Sequence, residues 1–249
     1  MSTDFHVIIP ARYQSTRLPG KLLMDLHGMS VIERVYRQAL KAQPKSITIA
    51  TDHEMIYTAA QHFGADVIMT ASTHQSGTDR IAEAVVKKNF RPDDIVVNVQ
   101  GDEPLIAPEL IRQVAQSLKT TAASVATLCW PVHDYTLAAD PNVVKVVRDK
   151  NQHALYFSRS LIPANRDEPL ACKHVFRHIG LYAYRVAFLL EMSKWPVCDL
   201  EAMEALEQLR VLWAGHQIKV EEACVLPLQD INTAEDLQRA RMNLAPLPN

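Results

Sequence analysis

The sequence predicts an α/β fold: a mostly parallel sheet flanked by helices, with a mixed β segment inserted in the second half. Three observations carry this. Short apolar runs alternate with helical patterns as far as residue 119. Those runs are continuously apolar rather than alternating, as in strands buried on both faces. Beyond residue 122, strand-like runs follow one another with few helices between them.

The elements follow in order. Phe5-His6-Val7-Ile8-Ile9 is the first strand. Val31, Ile32, Val35, Tyr36 and Ala39 then recur at helical spacing behind Ser30, a residue type suited to capping. Ile47–Ala50 is a second strand, followed by a helix near 53–63 that Gly64 ends. Asp66–Met69 is a third strand and 78–89 a helix. Ile95–Val99 is a fourth strand, and Pro108 opens a helix reaching about residue 119. In the second half Val125–Leu128, Val143–Val147, Ala154–Phe157 and Ile179–Tyr182 read as strands. Leu200, Met203, Leu206, Leu209, Val211 and Leu212 predict one long helix over 199–214. Ile218–Val220 is a late strand, and a terminal helix runs from about 233 to 243. No repeat, low-complexity run or linker divides the chain. It reads as a single domain over 1–249, with approximate halves 1–121 and 122–249.

Composition narrows the class of protein. At 249 residues the chain can bury roughly 70–75% of its unfolded surface, so it needs no disulfide or structural metal to fold. Net charge is -2 from 26 basic and 28 acidic residues, which argues against a general nucleic-acid binder and leaves room for a local anion site. Cys129, Cys172, Cys198 and Cys224 are too widely spaced for a C-x-x-C motif and read as reduced, mostly buried thiols. The N-terminal MSTDFHVIIPAR lacks the basic region of a signal peptide, and no apolar run approaches the roughly 18 residues of a membrane span. The expectation is a soluble cytoplasmic protein with no membrane or nucleic-acid partner.

Open parallel sheets bind ligands beyond the carboxyl ends of their strands. At the first such end, residues 10–21 hold Arg12, Arg17 and Lys21 in a loop with two prolines and Gly20. Fixed cations and free backbone N–H groups there suit a polyanion, and the position at the end of the first strand favours that over solvated surface charge. No G-x-G occurs, and Gly20-Lys21 has no glycine five positions earlier, so both familiar phosphate loops are excluded. At the end of the fourth strand, Gln100-Gly101-Asp102-Glu103-Pro104 can form a turn or place a carboxylate on Mg²⁺. Gly101 would let backbone approach a ligand. His74-Gln75-Ser76-Gly77-Thr78-Asp79-Arg80 offers either a helix cap or small polar groups for a ligand. Arg159, His178 and Tyr182 are polar groups in apolar strands that need partners. Glu207-Gln208 reads by default as an exposed pair.

The segments IIPARYQSTRLPGK, ATDHE, HQSGTDR, VNVQGDEP, ALYFSR, RHIGLYAYR, LEQLRVLW and NTAEDLQRAR run from residue 8 to 241. In that order they strongly resemble the 3-deoxy-manno-octulosonate cytidylyltransferases, or CMP-Kdo synthetases. The resemblance implies a Rossmann-like nucleotidyltransferase sheet whose inserted segment serves sugar binding and dimerisation. It also implies an enzyme that transfers CMP from CTP to the anomeric 2-hydroxyl of Kdo. The products are CMP-Kdo, used in lipopolysaccharide synthesis, and pyrophosphate. Mg²⁺ as cofactor, a cytoplasmic setting and a homodimer are further implications.

Carried over residue by residue, Arg12, Lys21 and Asp102 are the catalytic set. Ala11, Arg12, Arg17, Lys21, Gln75, Ser76 and Arg80 surround the nucleotide. Gln100, Arg159, His178, Tyr182, Glu207 and Gln208 take the sugar, with Arg159 the natural partner of its carboxylate. The metal is assigned to Asp102 and Asn232. Here the chain departs from the family, which usually has Asp-Thr-Pro-Glu-Asp-Leu where this sequence has Asn232-Thr233-Ala234-Glu235-Asp236-Leu237. Asp230 is the nearby carboxylate that could compensate. His27-Gly28-Met29-Ser30 is a second departure, lacking a lysine that relatives often carry. The rival readings are a cytidylyltransferase for 8-amino-Kdo or a sialic acid, and a non-catalytic CTP sensor.

Overall fold

Four parallel strands form one side of the sheet: β1 (His6–Ala11), β2 (Ser46–Thr51), β3 (Asp66–Met69) and β4 (Ile95–Asn98). The computed structural model describes residues 4–15 and 17–244, so residues 1–3 of the N-terminal stretch, Thr16 of the first loop and residues 245–249 lie outside the described residues. Side chains of β1 alternate between two cores. Val7, Ile9 and Ala11 face one and Ile8 faces the other, which is why the strand is apolar throughout. The first core takes Val31, Ile32 and Val35 of α1 (Val31–Lys41), Ile56 of α2 (Glu54–His62) and Leu110 and Val114 of α4 (Pro108–Lys119). The second takes Ile81 and Val85 of α3 (Gly77–Lys87). The expected α1 cap is present, with the Ser30 hydroxyl accepting the Glu33 N–H at 3.2 Å.

The second half extends the same sheet. Its strands are β5 (Val125–Pro131), β6 (Lys145–Arg148), β7 (Ala154–Ser158), β8 (Phe176–Arg185) and β9 (Ile218–Glu222). The order is β3-β2-β1-β4-β8-β5-β9, with the β6–β7 pair joined at β8. Strand β8 runs antiparallel to both neighbours, and β9 returns parallel to β5. Strand β6 is antiparallel to both β8 and β7, so the mixed segment contains two reversed strands, β8 in the main order and β7 at its side. Two helices too short to show a period lie between these strands and their neighbours: α5 (Tyr135–Ala139) and α6 (Val186–Met192). The terminal helix is α9 (Ala234–Asn243), and it opens with a capping box between Thr233 and Asp236. No helix of the described residues is long and apolar enough to cross a membrane.

The long helix expected over 199–214 is instead two short ones, α7 (Asp199–Glu204) and α8 (Leu209–Trp213). Ala205 between them is left-handed at φ 50°. The Glu204 side chain is drawn out of line by the Ser158 hydroxyl at 2.7 Å and the Arg159 N–H at 2.9 Å. Arg159 in turn donates to the Glu204 and Ala205 carbonyls, ending α7 from outside. The cysteines are all free, as expected, but less buried than expected: Cys129 and Cys198 are buried, Cys172 is half-buried and Cys224 is exposed.

Candidate functional site

Parallel pairing aligns the carboxyl ends of β1 and β2, with Ala11 opposite Thr51. The chain leaving β1 forms one wall of a cavity of about 430 Å³ lined by Arg12, Arg17, Lys21, Ser76, Arg80 and Asp102, among others. A second cavity of about 820 Å³ adjoins it, lined in part by Arg159, His178, Tyr182, Gln208 and Asp230. Arg17, Gln100, Asp102 and Asn232 line both. The two sets of residues expected to hold different substrates thus meet along one boundary.

Lys21 follows Gly20, whose φ of 68° is a left-handed conformation that suits glycine. Its ammonium donates to Asp102 Oδ2 at 2.5 Å, the Ile231 carbonyl at 2.8 Å and Asn232 Oδ1 at 3.3 Å. Arg17 donates to the same Asn232 oxygen at 2.6 Å. Asn232 Nδ2 donates to Asp230. Burial, and then the charge of Asp102, raises the Asp230 carboxyl above its ordinary range. The same two causes, joined by Asp230, push Glu103 up to about 8. Carboxylate, amide and backbone oxygens converging on one cation are the hard donors Mg²⁺ favours, so the residues present fit a divalent metal. Asn232 brings its oxygen to this set without a charge.

Gly101 lines the smaller cavity, and it has a second role besides the expected approach to a ligand. A Cβ there would lie 3.0 Å from the Pro10 carbonyl and 3.4 Å from Ile32 and Leu22, so glycine lets the ends of β1 and β4 close on each other. Ala11 is wholly buried in the first core, leaving only its backbone for a ligand. Gln75 is exposed on the cavity rim, and Ser76 caps α3 in a capping box with Asp79. Both readings of the 74–80 segment therefore hold at once. Arg80 lines the cavity but is only 3% exposed, with Nη2 on Asp52 at 2.7 Å and Nη1 on Thr70.

On the other side of the boundary, Arg159 donates through Nε to Glu204 O, Nη1 to Pro141 O and Nη2 to Ala205 O. A guanidinium has five N–H groups, so one on each terminal nitrogen is left over from these three carbonyls. The Arg159 carbonyl is held from below by the fully buried Lys145 at 2.6 Å. Burial lowers the Lys145 pKa. Burial also drops His178 to about 3, so the ring is neutral. Thr127 Oγ1 donates to the Ile179 or Leu181 carbonyl and so accepts from His178 Nε2 at 3.0 Å, which leaves Nδ1 as the acceptor. The Tyr182 hydroxyl is buried with no hydrogen-bond partner among the described residues.

Glu207 and Gln208 are not an exposed pair: Gln208 is 8% exposed and faces the larger cavity. Glu207 turns to a small inner void beside Tyr182 and Tyr184. There its carboxylate accepts from the Thr78 hydroxyl at 2.6 Å, and burial raises its pKa. The structure thus places every expected residue on or directly behind the two cavities, with Ala11 and Glu207 behind the walls. Asp52, Thr78, Thr127 and Lys145 were not singled out as site residues. A lone lysine in Val143-Val144-Lys145-Val146-Val147 is the signal that could have revealed the last.

Strand order, cationic loop and acidic turn together place a cavity rich in cations at the carboxyl edge of an α/β sheet. The sequence profile of the family described as Cytidylyltransferase matches residues 6–219, and the chain belongs to that family of nucleotidyltransferases. Within it, the chain is 64% identical over 237 residues to a 3-deoxy-manno-octulosonate cytidylyltransferase of Legionella pneumophila strain Lens, covering 95% of each chain. It is 61% identical over 249 residues to the relative of the same name in strain Corby, covering 100% of both. A solved structure of CMP:2-keto-3-deoxy-manno-octonic acid synthetase complexed with CTP superposes with a TM-score of 0.89 at 40% identity, covering 96% of this chain and 98% of that one.

Proposed function

We propose that the protein transfers CMP from CTP to the anomeric 2-hydroxyl of 3-deoxy-manno-octulosonate, releasing pyrophosphate. The observation that carries this reading is the shared boundary of the two cavities, where Arg17, Gln100, Asp102 and Asn232 line both. The smaller cavity, with its cations and polar loop, takes the nucleotide. The larger, with Arg159, neutral His178, Tyr182 and Gln208, takes an acidic polyhydroxy sugar. Relatives carrying the cytidylyltransferase name at 64% and 61% identity support the same assignment.

In the reaction the sugar oxygen forms a bond to the α-phosphorus. The bond from that phosphorus to the bridging oxygen breaks, and pyrophosphate leaves with the electron pair. The hydroxyl proton goes to solvent. Such a displacement asks chiefly for alignment and charge neutralisation. Arg12 and Arg17 neutralise the triphosphate, and Lys21 the departing pyrophosphate. Arg159 binds the sugar carboxylate with its two remaining N–H groups, and His178 Nδ1 accepts from a sugar hydroxyl. Asp102 and Asn232, with Asp230 alongside, would hold Mg²⁺, which screens phosphate charge and acidifies a nearby hydroxyl. Glu207 acts from behind, steadying Thr78 and the wall it belongs to.

We extend the proposal to a cytoplasmic homodimer in which each chain is one cytidylyltransferase domain. Leu155, Val197, Met203 and Trp213 are exposed apolar side chains on β7 and the 197–213 segment, as an interface between copies would use. A monomer in analytical ultracentrifugation at micromolar concentration removes that part. The reaction itself is tested by pyrophosphate release with CTP, Mg²⁺ and Kdo, beside 8-amino-Kdo and an Asp102→Ala control. Release with Kdo that collapses in the control is expected. Release with the amino sugar alone moves the substrate, and retained CTP binding without release favours the sensor.

A further inference from the structure

Two elements of the nucleotide cavity are tied together from behind by a residue that does not line it. Asp52 is the first residue after β2, at the sheet edge where Ala11 and Thr51 are paired. Its Oδ1 accepts the backbone N–H of Tyr13 at 3.4 Å, in the middle of the cationic loop. Its Oδ2 accepts Arg80 Nη2 at 2.7 Å, on the first turns of α3. The Arg80 and Asp52 side chains are 4% and 15% exposed. Asp52 supplies the single ion pair to Arg80 among the described residues, and Thr70 takes the other terminal nitrogen. Thr70 is itself fixed by the Thr51 carbonyl through its N–H at 2.8 Å and its hydroxyl at 3.0 Å.

The next residue continues the brace. The His53 ring stacks on Tyr13 at 3.9 Å between centroids and 12° between planes. It cannot turn freely, because Nδ1 accepts the Met55 N–H at 3.2 Å as the cap of α2. The Tyr13 hydroxyl lies 3.6 Å from where a Cβ on Gly20 would stand, beside the residue that aims Lys21. Residues 51–53 therefore hold the loop at Tyr13, flanked by Arg12 and Gln14 of the cavity wall, and hold Arg80 of the opposite wall with the same carboxylate.

We infer that Asp52 is a positioning residue for the nucleotide: it sets the spacing of the cationic loop against Arg80, and His53 locks the loop through Tyr13. This rests on the reading of the cavity as a CTP site. The test uses the full-length enzyme with CTP, Mg²⁺ and Kdo, reading kcat, both KM values, the CTP dissociation constant by calorimetry, and Tm. Asp52→Asn keeps the shape and loses the charge on Arg80. It should raise both KM and the dissociation constant for CTP about tenfold, with KM for Kdo changed less than about twofold. Asp52→Glu should recover part of the loss. His53→Ala leaves the Arg80 pair intact and should raise KM for CTP about threefold, with Tm falling only by the roughly 2–4 °C that the lost α2 cap costs, so it decides the matter if Asp52→Asn does not fold. Unchanged CTP constants in the folded variants, or equal losses for both substrates, overturn the inference. Wild-type CTP binding without turnover fails the transferase reading alone, since the calorimetry still reads Asp52. No CTP binding by the wild type overturns both.

Discussion

The Tyr182 hydroxyl is buried and has no hydrogen-bond partner among the described residues, so removing it costs the fold no bond. A buried polar atom left this way in the wall of a cavity calls for a ligand group or water. Tyr182→Phe is expected to raise KM for the sugar about tenfold, the value of one hydrogen bond, with Tm unchanged or slightly higher. Steady-state kinetics and thermal melts check it, and a lower Tm with KM unchanged would make Tyr182 purely structural. Asn232 is the other residue whose chemistry is open to direct test. Asn232→Asp puts a second carboxylate beside Asp230, already pushed up by burial and Asp102, and removes the amide that donates to it. The metal-free variant should lose about 1–2 kcal/mol of stability. Its Mg²⁺ activation midpoint should fall severalfold, and an unchanged midpoint removes Asn232 from the metal site. Arg12, Arg17 and Lys21 were legible because three cations crowd one loop after the first strand, and Asp102 because it sits in a Gly- and Pro-containing turn after the fourth. Asp52 and Lys145 were not, because their importance lies in partners 28 residues away for Asp52 and 14 for Lys145.

At the scale of elements, period and apolarity located β1–β4 and helices α1–α4 well. The 199–214 segment misled because Leu200, Met203, Leu206 and Leu209 recur every three residues, although Met203 is exposed on α7 and Leu206 lies in the break between the helices. What breaks the helix is tertiary: Arg159 takes the last α7 carbonyls, and Ala205 turns left-handed with its N–H on the Glu201 carbonyl. An alanine there carries a backbone strain of roughly 1–2 kcal/mol that glycine does not. Ala205→Gly is therefore expected to stabilise the protein by about 0.5–1 kcal/mol after the greater entropy of the unfolded glycine is subtracted. A shift of roughly 2–4 °C in Tm follows for about 1 kcal/mol in a chain this size, readable by calorimetry. A fall in Tm would mean that the Ala205 methyl carries packing greater than the strain. Sugar binding should be retained, because glycine keeps the carbonyl to which Arg159 Nη2 donates.

Over the whole molecule, β8 decides how the halves relate. It pairs with β4 of the first half through Ile95–Asn98 and with β5 of the second through seven residues of the latter. Each of the two main cores also crosses the division at residue 121: one joins Val7 and Ile9 to Leu128 and Leu181, the other Ile8 and Ile81 to Phe157 and Leu209. The reversed direction of β8 was not legible, since a strand's sequence records its burial but not its heading. The absence of a linker was legible, and it argues in the same direction as the shared cores. A sheet and two cores continuous across the chain should unfold together despite its length, so calorimetry should show one transition with equal calorimetric and van't Hoff enthalpies. CTP bound at the smaller cavity, which first-half residues line apart from Asn232, should then shift that whole transition, because binding to the native state stabilises everything that unfolds with it. At one hundred times its dissociation constant the shift is worth about 2.7 kcal/mol, or roughly 5–10 °C. Two transitions, with CTP moving only one, would show instead that residues 122–249 fold apart from the nucleotide site, and that β8 joins two units rather than unifying one.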